Sequence, residues 1–84
     1  MSIPLRHQFS KRAQMARRHC QNMSGERYLE NTLKLEVHDL DNEKTNCRID
    51  EIIRNGYDWP LLLLETAHKK GLANCPWCIG ESVR

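Results

Sequence analysis

Cysteine carries the strongest chemical signal in this chain. In Cys75-Pro76-Trp77-Cys78 two thiols stand two residues apart, and Gly80 follows two residues later. That spacing lets both sulfurs turn toward one ion, while a nearby glycine relieves the backbone. A structural zinc site needs two further ligands. The remaining cysteines are Cys20 and Cys47, so the expected set is Cys75, Cys78, Cys20 and Cys47, with His68 as substitute ligand and His19 as another candidate. Structural zinc ligands usually come as two close pairs, and here only one pair is close. Cys20 and Cys47 read equally well as small buried apolar residues. One structural zinc is the only cofactor the residues suggest.

The same four residues resemble the active site of thioredoxin- and glutaredoxin-type proteins. The resemblance implies a motif that opens a helix early in a βαβ unit, where the helix dipole lowers the first thiol's pKa. Six residues follow Cys78, too few for that helix and its strands. Redox catalysis is therefore not expected. A disulfide within Cys75–Cys78 or Cys20–Cys47 is the alternative, but the start Met-Ser-Ile-Pro-Leu-Arg-His lacks an apolar stretch of signal-peptide length. Reduced thiols and a cytoplasmic location are the expectation. No glycine-rich phosphate loop is present, His7, His19, His38 and His68 lie far apart, and no serine or cysteine stands in a recognisable nucleophile context. An enzyme is not expected.

The elements that must position these groups follow from apolar spacing. Eighty-four residues suit one small domain, 1–84. Ser2 caps and Pro4 opens a first helix over about 3–23, with Leu5, Phe9, Ala13, Ala16, Cys20 and Met23 as a stripe of helical period. A second helical segment is expected over about 25–55, from Ser24 through Leu29, Leu33, Val37 and Leu40 to a stop at Asn55-Gly56. Within it, polar residues 41–46 form either a solvated loop or the exposed middle of a long helix. Leu33, Leu35 and Val37 also alternate as in a half-buried strand, but a lone short strand is marginal. Asp58-Trp59-Pro60 starts a third helix over about 59–70, apolar on most sides through Leu61–Leu64 and closed by Lys69-Lys70-Gly71. Residues 72–84 form the Cys-x-x-Cys knuckle. The fold expected is all-α, a small three-helix or helical-hairpin domain.

Charge divides the chain more sharply than its net +2 suggests. Residues 1–25 carry Arg6, Lys11, Arg12, Arg17 and Arg18 and no acid, whereas residues 26–65 carry ten acids against five bases. Either the two segments pair with each other, or the basic one is open to a nucleic acid or an acidic protein. The acidic remainder disfavours a polyanion partner. The surplus leucine beside aromatic residues favours a protein partner, with Tyr57, Trp59, Leu61, Leu62, Leu64 and Trp77 as the binding surface, or a homodimer through the third or second helix. No apolar run is long enough for a membrane span. The function expected is a small adaptor or regulator that docks on a larger protein, a style common among accessory proteins of phages and mobile elements. The alternatives are a transcriptional regulator using the basic helix and a zinc-stabilised interaction module.

Overall fold

The computed structural model describes residues 17–80. Tyr28–Asn31 (β1) and Glu36–Asp39 (β2) pair antiparallel, with Leu29 opposite His38 and Glu30 opposite Val37. The connecting turn is built by Asn31. Its side-chain oxygen accepts the N–H groups of Leu33 and Lys34 at 3.0 and 3.1 Å, and its carbonyl accepts Leu35 N–H at 2.7 Å. An asparagine turn of this kind replaces backbone pairing with a side-chain acceptor. Leu35 completes the turn at φ +56°, a left-handed conformation unfavourable for leucine.

Asp58–Leu61 (β3) joins the other side of β1, antiparallel, with Trp59 opposite Glu30 and Pro60 opposite Leu29. The bond from Thr32 N–H to the Tyr57 carbonyl, 2.9 Å, sets the phase of this ladder. Bonded and non-bonded pairs alternate from there, so Leu29 and Pro60 face each other at a non-bonded position. The missing proline N–H costs the sheet nothing. Ala73–Asn74 (β4) lies parallel to β2, giving the order β3-β1-β2-β4.

Strand alternation sends the side chains to two cores. Leu29 belongs to one, with Leu40, Ile49, Ile52 and Ile53. The helix Ile49–Arg54 (α1) supplies the three isoleucines, all buried. Tyr28, Val37 and Leu61 belong to the other, with Leu64 and Ala67 from the helix Leu64–Lys69 (α2). Both helices end on left-handed glycines, Gly56 and Gly71, where the chain closes with a bond from Tyr57 N–H to Ile52 C=O and from Leu72 N–H to Ala67 C=O.

This is not the all-α domain the apolar spacing predicts. The segment 25–55 is a hairpin, two short 3-10 turns (Leu40–Asn42 and Thr45–Cys47) and one six-residue helix. Every residue of β1 is buried, so the strand carries no in-out alternation to betray it. Its polar members are compensated: Glu30 accepts from Lys70 Nζ at 2.6 Å. The third predicted helix divides too. Leu61 ends β3, Leu62 and Leu63 are exposed in the connection, and Leu64 opens α2, so four consecutive leucines serve two elements rather than one helix. Of the predicted first helix, residues 17–23 are irregular, with Gln21 at φ +53°, and residues 3–16 lie outside the described residues.

The basic and acidic segments meet in this fold. Arg17 makes a two-pronged pair with Asp41, 2.9 and 2.7 Å, on the exposed side. Arg18 is buried. Its guanidinium binds both carboxylate oxygens of Glu43, 2.8 and 2.9 Å, and reaches Asp50 at 3.1 Å. The Glu43 side chain is itself only 7% exposed, so it depends on that cation. Arg18→Ala should lower unfolding stability by about 3–5 kcal/mol, since it strands a buried carboxylate. Urea denaturation checks this; a loss below about 1 kcal/mol would mean the pair behaves as an exposed one.

Candidate metal centre

Three segments distant in sequence deliver one cluster of four residues. His38 comes from β2, on the same face as Leu29. Cys47 ends the 3-10 turn before α1, and the left-handed Arg48, φ +55°, turns the chain from it into the helix. Cys75 and Cys78 follow β4, whose pairing is prolonged by Cys75 N–H on the Val37 carbonyl at 3.0 Å. Beyond Cys75 the chain folds tightly back: Ile79 and Gly80 N–H both reach the Cys75 carbonyl, at 3.0 and 2.9 Å, with Gly80 at φ +68°. This is the knuckle that the Cys-x-x-Cys spacing suggests.

The ligand-capable atoms of His38, Cys47, Cys75 and Cys78 all lie within 4.8 Å of one another, and each residue is at least 95% buried. Cys47 Sγ and Cys75 Sγ are 3.7 Å apart, far beyond a disulfide bond of about 2.05 Å. Two sulfurs on a tetrahedral zinc, each about 2.3 Å from it, stand about 3.8 Å apart. His38 Nδ1 is 3.9 Å from Cys78 Sγ. The spacing is that of ligands around an ion.

Surrounding groups prepare these atoms. Asp39 N–H points at Cys78 Sγ, 3.1 Å, as a donor would toward a thiolate. Asn42 Nδ2 holds the Cys78 carbonyl at 2.7 Å, and Arg27 grips the Asp39 carboxylate with two bonds of 3.0 Å. Burial pushes the Cys78 thiol far up, outweighing the Asp39 N–H, and burial likewise raises Cys47. A bound dication reverses that preference by stabilising thiolate directly. Burial, aided by the positive charge of Lys34, lowers His38 to about 4 and keeps its imidazole neutral, the form that coordinates metal. Zinc suits this set of three soft sulfurs and one imidazole.

Cys20 and the histidine substitutes are elsewhere. Cys20 is exposed and outside the cluster. The predicted set placed it on a helical stripe that residues 17–23 do not form. His68 is engaged with Asn74 Oδ1 at 2.7 Å. His19 is exposed, near Gly25. The fourth member, His38, was not singled out by spacing. Only its position opposite Leu29 in a covered hairpin turns it inward.

A cavity of about 290 Å³ adjoins the cluster, lined in part by His38, Cys47 and Cys75 and by the exposed side chains of Leu33, Tyr57 and Trp77. Trp59, Leu62 and Leu63 are exposed on β3 and its exit. Among the sequence-expected partner residues, Tyr57, Trp59, Leu62 and Trp77 are therefore on the surface, whereas Leu61 and Leu64 are core. Leu33, Leu35 and Leu63 are exposed too and were not expected. Of the five basic residues proposed for nucleic acid, Arg17 and Arg18 are held by carboxylates; Arg6, Lys11 and Arg12 lie outside the described residues. Among the described residues, no helix is long and apolar enough to cross a membrane. No protein-family model matches the chain, and no curated protein or solved structure is found similar to it.

Metal affinity should fall with acidity in a way that isolates the thiols. Each coordinating thiol must release its proton, so log Kd for zinc should change by about three per pH unit between roughly pH 7 and 5. If the metal-free chain stayed folded, His38, lowered to about 4 by burial, would add no proton in that window; a chain that unfolds on losing zinc adds a fourth as its exposed histidine titrates near the ordinary value of about 6.5. Competition titrations with a chromophoric chelator measure the slope. A slope of three would show that the metal-free chain keeps His38 buried, and a fourth proton near about pH 6.5 that it unfolds when zinc leaves.

Proposed function

We propose that this chain is a small zinc-stabilised interaction module that docks on a larger protein and has no catalytic centre of its own. The observation that carries the reading is the buried His38, Cys47, Cys75, Cys78 cluster with its tetrahedral-like spacing. Four protein ligands close the zinc shell and leave no position for water or substrate, which separates structural from catalytic zinc. The ion would join the hairpin, the start of α1 and the C-terminal knuckle. For a domain with strands of four residues or fewer, such a staple substitutes for core that the chain is too short to build.

The docking half of the reading rests on the surface. Trp59, Leu62 and Leu63 fall within five residues and are each more than half exposed. Aromatic and aliphatic anchors of this kind supply most of the energy of protein interfaces. The pairing of Arg17 and Arg18 with acids removes two of the cations on which a nucleic-acid reading depends.

Native mass spectrometry of purified chain should show one zinc ion per protomer. Chelation should collapse the far-UV circular dichroism, and zinc should restore it, because the binding energy of a structural zinc is largely folding energy. A chain that keeps its fold without metal and binds zinc no tighter than the micromolar range would overturn the zinc reading. The double substitution Leu62→Asp with Leu63→Asp should leave zinc content and dichroism unchanged while weakening capture of a protein partner at least tenfold. Equal capture by the variant would remove this surface from the proposal.

A further inference from the structure

His38 has two ring nitrogens, and only one can face the sulfurs. Nδ1 lies 3.9 Å from Cys78 Sγ. Nε2 is buried without a hydrogen-bond partner, the sole such side-chain atom among the described residues. A buried N–H left unpaired costs about 1–3 kcal/mol, so an acceptor is expected nearby. One is present. The Glu36 carboxylate oxygen Oε1 stands 3.4 Å from Nε2, slightly beyond the usual 2.7–3.2 Å of an N–H···O bond. Glu36 is two residues before His38 on β2, so both side chains leave the same face of the strand. Its carboxylate is 27% exposed at the cavity beside the cluster, while the imidazole is 3% exposed.

We infer that Glu36 is a positioning residue for the metal centre: it accepts the Nε2–H of His38 and so commits the ring to coordinate through Nδ1. The inference rests on the zinc reading above. A neutral imidazole carries one proton, and coordination at Nδ1 requires that proton to sit on Nε2. An acceptor at Nε2 therefore selects the tautomer whose free lone pair points at the sulfurs. A carboxylate acceptor also makes the coordinating nitrogen more basic, as the outer partners of zinc-bound histidines generally do. Lys34 faces the same imidazole from the hairpin turn, and its positive charge favours the neutral ring rather than offering an acceptor. Cys78 Sγ lies on the Nδ1 side. Glu36 is thus the acceptor available to Nε2.

The test compares zinc-loaded wild type, Glu36→Gln and Glu36→Ala by chelator competition, with His38 imaged by heteronuclear NMR of its ring. The ring carbon and nitrogen shifts report which nitrogen holds the metal. The expected result is coordination through Nδ1, a zinc affinity lowered about 10–100-fold in Glu36→Ala, and most of that loss restored in Glu36→Gln, whose amide oxygen still accepts. Cobalt(II) spectra of the three proteins would confirm that all retain the three-sulfur shell. Coordination through Nε2, or equal affinity in all three proteins, would overturn the role of Glu36 and leave the zinc reading standing. A wild-type chain that binds no zinc would overturn both, and an equal loss in the glutamine and alanine variants would mean that Glu36 matters for the strand and not for the tautomer.

Discussion

Three sulfurs and an imidazole buried side by side form the constraint on which the rest of this fold depends. Without a cation the arrangement is costly. Burial opposes ionisation of Cys47 and Cys78, and His38 is left with an unpaired buried nitrogen. With a dication at the centre the cost of ionising the thiols is reversed, while the unpaired nitrogen, Nε2, faces the Glu36 carboxylate and not the sulfurs. The backbone around the cluster already anticipates negative sulfur, most plainly in the Asp39 N–H aimed at Cys78. The hairpin, the turn before α1 and the knuckle after β4 converge on this cluster and on the apolar core of Leu29, Leu40, Ile49, Ile52 and Ile53 beside it.

A second organising force is the neutralisation of buried charge. Glu30 with Lys70, Asp39 with Arg27 and Glu43 with Arg18 each place a largely buried carboxylate against a cation from a distant part of the chain. Asp58, almost wholly buried, instead accepts the backbone N–H of Asn22. These contacts contribute less to net stability than to register: a slipped strand would strand a charge, and the penalty for that is steep. The acidic middle of the chain is therefore largely an internal counterpart to arginines and a lysine, and only partly a solvated face.

How much of this was legible in the residues depended on whether the signal was local. The knuckle was, because Cys75, Cys78 and Gly80 interact within one turn. So were the helix stops at Gly56 and Gly71, where the left-handed residue is required. The sheet was not. β1 is covered on both faces, and its Glu30 and Asn31 look like surface residues until Lys70 and the turn that Asn31 builds are seen. The Leu33, Leu35, Val37 alternation hinted at a strand, yet the two leucines lie in the exposed turn and only Val37 is core. His38 illustrates the same limit. A histidine becomes a ligand through long-range pairing, which spacing along the chain cannot encode, whereas Cys20 had favourable spacing in a helix that residues 17–23 do not form.

Pro60 gives the sheet an asymmetry that bears on how anything can dock. At its position the backbone donor that would point away from β1 does not exist, and the outward carbonyl of Asp58 is already taken by Asn22 Nδ2 at 3.0 Å. A visiting strand would find a rung missing and a neighbouring one occupied, so the ladder cannot be extended by simple addition. The opposite border, β4, is two residues long. Any recognition at this sheet would fall to side chains, whose identities can discriminate between partners, and not to backbone, which cannot. The same blocked borders guard a short, leucine-bearing chain against stacking on copies of itself.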